Sequence, residues 1–182
     1  TLGVPRIKEI INASKVISTP IINAVLVTDN DERSARVVKG RVEKTLLKDV
    51  ASYIEDVYKE SMAFIQVKID LRTIEKLQLE LTIENIAEAI ARAPKLKISA
   101  HDVAIQDSNK VLIRVDDTLS KTTSSRSTAP KEPQESAVFY RMQQLRRALP
   151  DIVVKGLPEI ARAVINVKDD DKRELLVEGY GL

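Results

Sequence analysis

Phe64-Ile65-Gln66-Val67-Lys68-Ile69-Asp70 decides the fold class. Ile65, Val67 and Ile69 alternate with Gln66, Lys68 and Asp70, the period of two that puts one face of a strand in a core and the other in water. A few residues on, the period changes. Thr82 is a good helix cap, and Ile83, Ile86, Ala87 and Ile90 then recur at helical spacing until Pro94. Between these two stretches, 71–81 is expected to contain a short helical turn. Beyond them, 97–106 and 110–116 read as two strands joined through Asp107-Ser108-Asn109, a turn-forming triplet. Upstream, 50–58 reads as a strand.

The flanks mix the same two periods. Pro5 suits a first helical position, because its ring presets φ and a helix start leaves that amide unbonded. Ile7, Ile10, Ile11 and Ser14 then fall on one face of a helix over 5–15, ended by Ser18-Thr19-Pro20. A strand is expected over 21–27. Ala35, Val38, Val42 and Leu46 predict a helix over 31–47, with acidic residues at its positive end. Val138, Met142, Leu145 and Leu149 mark a helix stopped by Pro150, and Ile152-Val153-Val154 reads as a strand. Pro158 opens another short helix, and 165–168 pairs with 174–178 across Asp169-Asp170-Asp171-Lys172. No internal repeat is present. Without strict βαβ alternation the class is α+β, with mostly antiparallel strands in one compact unit. The periodicity assigns Ile10, Ile11, Val25, Val38, Val42, Ile65, Val67, Ile69, Ile86, Ile90, Ile113, Val115, Met142, Leu145, Ile165 and Leu176 to the core.

Ser, Thr, Pro, Lys and Glu dominate 118–136, which predicts a long mobile loop that is dispensable for folding. It divides the chain into an α+β part over 1–117, the loop itself, and a helix and hairpin over 137–182 that complete the same unit. A chain of 182 residues at this composition buries about 70% of its unfolded surface without disulfides or metal. The absence of Cys excludes thiol nucleophiles, Cys-based zinc sites and iron–sulfur clusters, and a lone His101 excludes a histidine metal cluster. Lys and Arg total 29 against 27 Asp and Glu, so contact with nucleic acid requires a local patch, not global charge. Aromatics are 3% with no Trp, which argues against a stacking platform for bases. No apolar run approaches the ~20 residues of a membrane span. The start, Thr1-Leu2-Gly3-Val4-Pro5, has neither a basic leader nor a Met and reads as that of an excised piece.

Each candidate for chemistry has a plainer reading beside it. Asp169-Asp170-Asp171 is a carboxylate run of the kind that holds magnesium, or a hairpin turn whose neighbours point to opposite faces. His101-Asp102 offers a base and its orienter, or a surface histidine with no nucleophile nearby. Arg33, Arg36, Lys39, Arg41, Lys44 and Lys48 face only Glu43 and either follow a phosphate backbone or form the solvated side of a helix. Arg141, Arg146 and Arg147 pose the same choice. Lys8, Asn12 and Lys15, at i, i+4 and i+7, line a polar face that either makes sequence-independent phosphate contacts or is an ordinary solvated helix face. None of the five glycines forms a phosphate-cradling run. No complete catalytic constellation emerges.

Leu2-Gly3-Val4-Pro5-Arg6-Ile7-Lys8-Glu9-Ile10-Ile11-Asn12 resembles the segment just after the trigger loop in the largest subunit of multisubunit RNA polymerases, whose members share a Gly-apolar-Pro-Arg-apolar start there. Asn12-Ala13-Ser14-Lys15 and Ile17-Ser18-Thr19-Pro20-Ile21-Ile22 resemble the RNA polymerase III type more than II or I. So do Val37-Val38-Lys39-Gly40-Arg41-Val42-Glu43-Lys44-Thr45-Leu46, Val153-Val154-Lys155-Gly156-Leu157-Pro158-Glu159-Ile160 and Leu175-Leu176-Val177-Glu178-Gly179. The resemblance spans nearly the whole chain, apart from 118–136. It implies the cleft and jaw portion of a nuclear, DNA-directed nucleotidyltransferase. Gly3, Val4, Pro5 and Arg6 would form the trigger-loop base. The partners would be downstream duplex DNA, held through Lys8, Asn12, Lys15, Arg33 and Arg36, and the other polymerase subunits. Magnesium would belong to the whole enzyme, since the family's metal-binding carboxylate motif lies upstream, and this segment would hold no cofactor, small-molecule substrate or membrane contact. The other reading is a free-standing α+β interaction domain whose Ser/Thr-rich loop is a regulatory target; an open reading frame continuing on both sides of the chain separates the two.

The purified chain is expected to show no nucleotidyl transfer, because it lacks a carboxylate cluster for two metals. Metal-dependent primer extension by this chain alone is the measurement that checks it.

Overall fold

A computed structural model describes residues 3–59, 62–115 and 134–181. The expected mobile loop lies outside the described residues, except that 134–136 already belong to the helix that follows. The fold class is α+β. Its contacts gather into two compact units, one of residues 45–154 and one of 1–44 with 155–182.

The unit over 45–154 is built on a four-stranded antiparallel sheet in the order β3-β4-β6-β5: Ala51–Lys59, Met62–Ile69, Lys110–Val115 and Val103–Gln106. The alternation read from the sequence sets its register. Ala63, Ile65 and Val67 of β4 stand opposite Val115, Ile113 and Val111 of β6, and all six are buried. Two helices cover this face. α5 (Ile83–Arg92), capped by the Thr82 hydroxyl, contributes Ile86 and Ile90. α6 (Gln134–Ala148) contributes Met142 and Leu145. Arg146 of α6 also reaches Asp56 of β3 at 2.9 Å, and Arg141 donates to the carbonyls of Leu96 and Lys97. The two short helices α3 (Leu47–Val50) and α4 (Leu71–Leu77) flank the sheet strands, and Thr45–Leu46 (β2) pairs with Val153–Lys155 (β7).

The second unit carries a three-stranded antiparallel sheet in the order β1-β9-β8: Ile21–Val25, Arg173–Gly179 and Ile160–Val167. α2 (Glu32–Val42) covers one face, packing Ala35, Val38 and Val42 against Leu175, Val177, Ile160 and Ala163. Asp31 caps α2 by accepting the Arg33 and Ser34 amides. At Gly156 the chain passes so close to the end of α2 that an added Cβ would lie 2.0 Å from the Glu43 carbonyl oxygen, and its φ is +85°.

Several sequence expectations change. The helix over 5–15 is α1 (Val4–Ile11) and stops four residues early. The helix over 31–47 ends at Val42, because Glu43 turns extended and Thr45–Leu46 joins a sheet. Only Val103–Gln106 of 97–106 is strand: Lys97 has φ +49° and Ser99 caps a 3-10 turn at Ala100–Asp102. Pro158 opens a tight turn closed by Ile160 N–H to the Leu157 carbonyl, not a helix. Ile10 and Ile11 leave the core because α1 buries none of its side chains. Val25 leaves it because β1 turns Ile22 and Ala24 inward instead, and Leu176 sits on the opposite side of β9 from Leu175 and Val177.

Ile90→Ala is expected to cost about 2–5 kcal/mol in denaturant unfolding, as a fully buried aliphatic side chain loses its contacts. Gly156→Ala is expected to cost a similar amount, about 2–5 kcal/mol, from left-handed backbone strain and overpacking together. A neutral Gly156→Ala in the same assay would show that the Glu43 carbonyl can move aside.

Candidate functional site

The opening segment folds as its residues dictate. Gly3 caps α1 with φ +105°, a backbone conformation open to glycine, and Pro5 occupies the first turn. At the other end the Ala13 amide donates to the Ile10 carbonyl and the Ser14 amide to the Glu9 carbonyl. This paired closure puts Ala13 at φ +46°, in the left-handed position usually given to glycine. Lys15 therefore lies past the turn. Lys8 and Asn12 keep one side of the helix, and the expected third member leaves the line.

Arg6 pairs with Glu9 at 3.1 Å, and Glu9 also accepts the Ser18 hydroxyl at 2.8 Å and the Ser18 amide at 3.1 Å. One carboxylate thus ties the helix to the segment that returns toward β1. Hydrogen bonds from Ser18, then the Arg6 guanidinium, hold the Glu9 carboxyl below its ordinary value. Val4, Ile7, Ile10 and Ile11 stand 54–75% exposed, a bare apolar face on an amphipathic helix.

The second group of cations is divided. Arg36 forms an ion pair with Glu32, and Lys39 with Glu43 at 3.5 Å. Arg33 is exposed on the first turn of α2. Lys44 and Lys48 lie beyond the helix, and Lys48 pairs with Asp151 at 3.2 Å. The run over 33–48 is therefore not one continuous basic face. Arg141 and Arg146 are engaged in holding α6, as described above.

The remaining candidates take their plainer readings. Asp171 has φ +61° in the turn between β8 and β9, and Asp170 pairs with Lys172 at 3.2 Å. Asp102 faces Arg114 at 3.5 Å, and His101 is exposed. Among the described residues no group of three or more His, Cys, Asp or Glu side chains is placed to hold a metal ion, and no helix is long and apolar enough to cross a membrane.

The sequence reading missed a constellation on the outer face of the four-stranded sheet. The Lys68 ammonium sits 5.6 Å from the centre of the Tyr53 ring, and the Lys59 ammonium 5.5 Å from that of Phe64. The same alternation that placed Ile65 and Val67 inside puts Phe64, Gln66 and Lys68 outside, so the signal was present in the sequence.

No family model matches the chain. By fold this is an α+β chain that bares one face of its opening helix. The chain corresponds to a segment of the RNA polymerase III largest subunit. It is 74% identical over 182 residues to DNA-directed RNA polymerase III subunit RPC1 of Saccharomyces cerevisiae, and 51% identical over 182 residues to that of Schizosaccharomyces pombe. To that of Homo sapiens it is 44% identical over 185 residues. Each match takes in all of this chain and 12% of the relative, so the chain spans about 12% of the length of the curated relatives it matches.

The lowered Glu9 value carries a pH dependence with a definite sign. Its contribution is fully present above the ordinary glutamate value, about 4.3, and fades as pH falls through the lower folded value. Hydrogen-exchange protection of the Ser18 amide is expected to fall in that acid range, and Glu9→Gln is expected to remove the pH dependence. Protection that is independent of both would show that the link does not hold the helix.

Proposed function

We propose that this chain is a non-catalytic structural part, cleft and jaw, of the RNA polymerase III largest subunit. Gly3, Val4, Pro5 and Arg6 root the trigger loop. The segment walls the downstream-DNA cleft and seats other subunits, while the whole nuclear enzyme carries out DNA-directed, magnesium-dependent nucleotidyl transfer. The reading assigns no metal or small-molecule substrate to this segment. The observation that carries it is the match along the entire chain at 12% of the relatives' length. The bare face of α1 supports it: an eight-residue helix that buries nothing is marginal by itself, and a larger subunit supplies the missing partner. Lys8 and Asn12 on one side of that helix, with Lys15, Arg33 and Arg36, are the positions assigned to the phosphate backbone.

Two experiments on the complete polymerase test the reading. Ile10→Asp is expected to leave the stability of the 182-residue chain within about 0.5 kcal/mol, as exposed substitutions do. In the polymerase it is expected to reduce assembly or elongation. No effect in either setting would overturn the structural role. Lys8→Ala is expected to shorten elongation-complex lifetime similarly on all templates and to lower the salt slope by about 0.9 for a lost duplex phosphate contact. An unchanged lifetime and slope for both Lys8→Ala and Lys15→Ala would return that side of the helix to plain solvent.

A further inference from the structure

The outer face of the four-stranded sheet is laid out in rows across its strands. Tyr53 of β3 stands opposite Lys68 of β4, and Lys68 opposite Lys110 of β6. The next row is Glu55, Gln66 and Leu112, and the one after it Val57, Phe64 and Arg114. α5 and α6 occupy the other face, and among the described residues of this unit no further helix or strand layer lies on this one. Tyr53 is 38% exposed and Phe64 half-buried.

Two features separate this face from an ordinary solvated sheet. Each of its two rings has an ammonium group over it, at 5.5 and 5.6 Å. A base that stacks on such a ring displaces the ammonium from its face, and the flexible lysine stem keeps that charge within reach of the same nucleotide's phosphate. Gln66, midway between the rings, has its side-chain amide anchored on the Tyr53 hydroxyl at 3.1 Å and on Glu55 at 2.9 Å. The carboxylates present are already engaged: Glu55 by Gln66, Asp107 by Lys110 and Asp102 by Arg114, the last two at 3.5 Å on the rim.

We propose that this sheet face, through Tyr53 and Phe64 with Lys59, Lys68, Lys110 and Arg114, binds single-stranded nucleic acid. A duplex keeps its bases stacked on one another and cannot offer them to the rings. Lysine is depleted where proteins dock on proteins, and three of the four cations here are lysines, which favours phosphate over a subunit surface. Phe64 and Lys68 are four residues apart, about 13 Å along the strand, far beyond the 3.4 Å step of a stacked strand. The two rings therefore take bases that are not stacked neighbours, and the strand runs along β4 past Gln66. An antiparallel sheet with helices behind it and aromatic residues in front is a general platform for single strands. The proposal rests on this face alone and is independent of the polymerase assignment.

The test is fluorescence anisotropy of labelled oligothymidylate of about twelve nucleotides with the 182-residue chain, beside a blunt duplex of equal length. Binding of the single strand is expected to be tighter than that of the duplex. Tyr53→Leu and Phe64→Leu, with thermal unfolding as control, are expected to weaken it at least about five-fold each. Lys68→Gln is expected to lower the magnitude of the log-affinity against log-salt slope by about 0.7, the value for one single-strand phosphate contact. Should a leucine variant unfold, the exposed charge reversal Lys59→Glu reads the same face and is expected to weaken binding. The proposal is overturned if the single strand does not bind, if the duplex binds equally well, or if these folded variants bind as wild type does.

Discussion

Strand β4 is the constraint on which the larger unit depends. Its inward residues meet both neighbours in register: Ile65 lies between Asp56 and Ile113, and Val67 between Ile54 and Val111. A shift of one residue would carry Ile65, Val67 and Ile69 into water and Lys68 into the core, so the register is fixed by burial itself. Both covering helices then have one surface to pack on. α5 reaches it with Ile86 and Ile90, and α6 with Met142 and Leu145. The Asp56 carboxylate is largely buried, and Arg146 of α6 answers it at 2.9 Å. Removing that arginine alone would leave a largely buried charge without a partner, which costs more than the pair contributes.

How much of this was legible depends on whether a residue's period or its surroundings decides its fate. Period alone fixed Ile65, Val67, Ile69, Ile86, Ile90, Met142 and Leu145, and all are buried. It also gave the ends of the 107–109 turn. It could not say which of two apolar faces turns inward. On β1, Ile21 and Val25 are as apolar as Ile22 and Ala24, and only the position of α2 chooses between them. The strand expected over 97–106 is shortened to Val103–Gln106 for a local reason, since the left-handed backbone at Lys97 and the Ser99 cap redirect the chain before Val103. The polar line through Lys8, Asn12 and Lys15 failed because Ala13 closes the helix, a geometry its sequence does not advertise.

The opening helix shows how an amphipathic pattern and burial come apart. Its spacing is that of a core helix, yet Val4, Ile7, Ile10 and Ile11 face solvent. Eight residues are too few for a stable helix in water without packing. What keeps it attached is polar: Glu9 bonded to Arg6 on its own turn and to Ser18 beyond it. Such a tether orients a helix without burying it. That arrangement leaves the apolar face of α1 open among the described residues.

The aromatic residues make the complementary point. The chain has four Tyr and two Phe, and none of the six is buried in either core. Ile, Leu, Val and Ala fill both interiors, with Met142 in the larger one, so neither core is built on ring packing. A composition of 3% is a global quantity, and it does not say where the few rings stand. Tyr53 and Phe64 stand on an open sheet, each beside a lysine. Tyr58, with Asp56 and Arg146 near enough to influence its hydroxyl, stands at the far end of β3. Exposed rings backed by a rigid aliphatic core lose little conformational entropy when a partner covers them. In this chain aliphatic side chains fill the interior, and the rings are left to the surface.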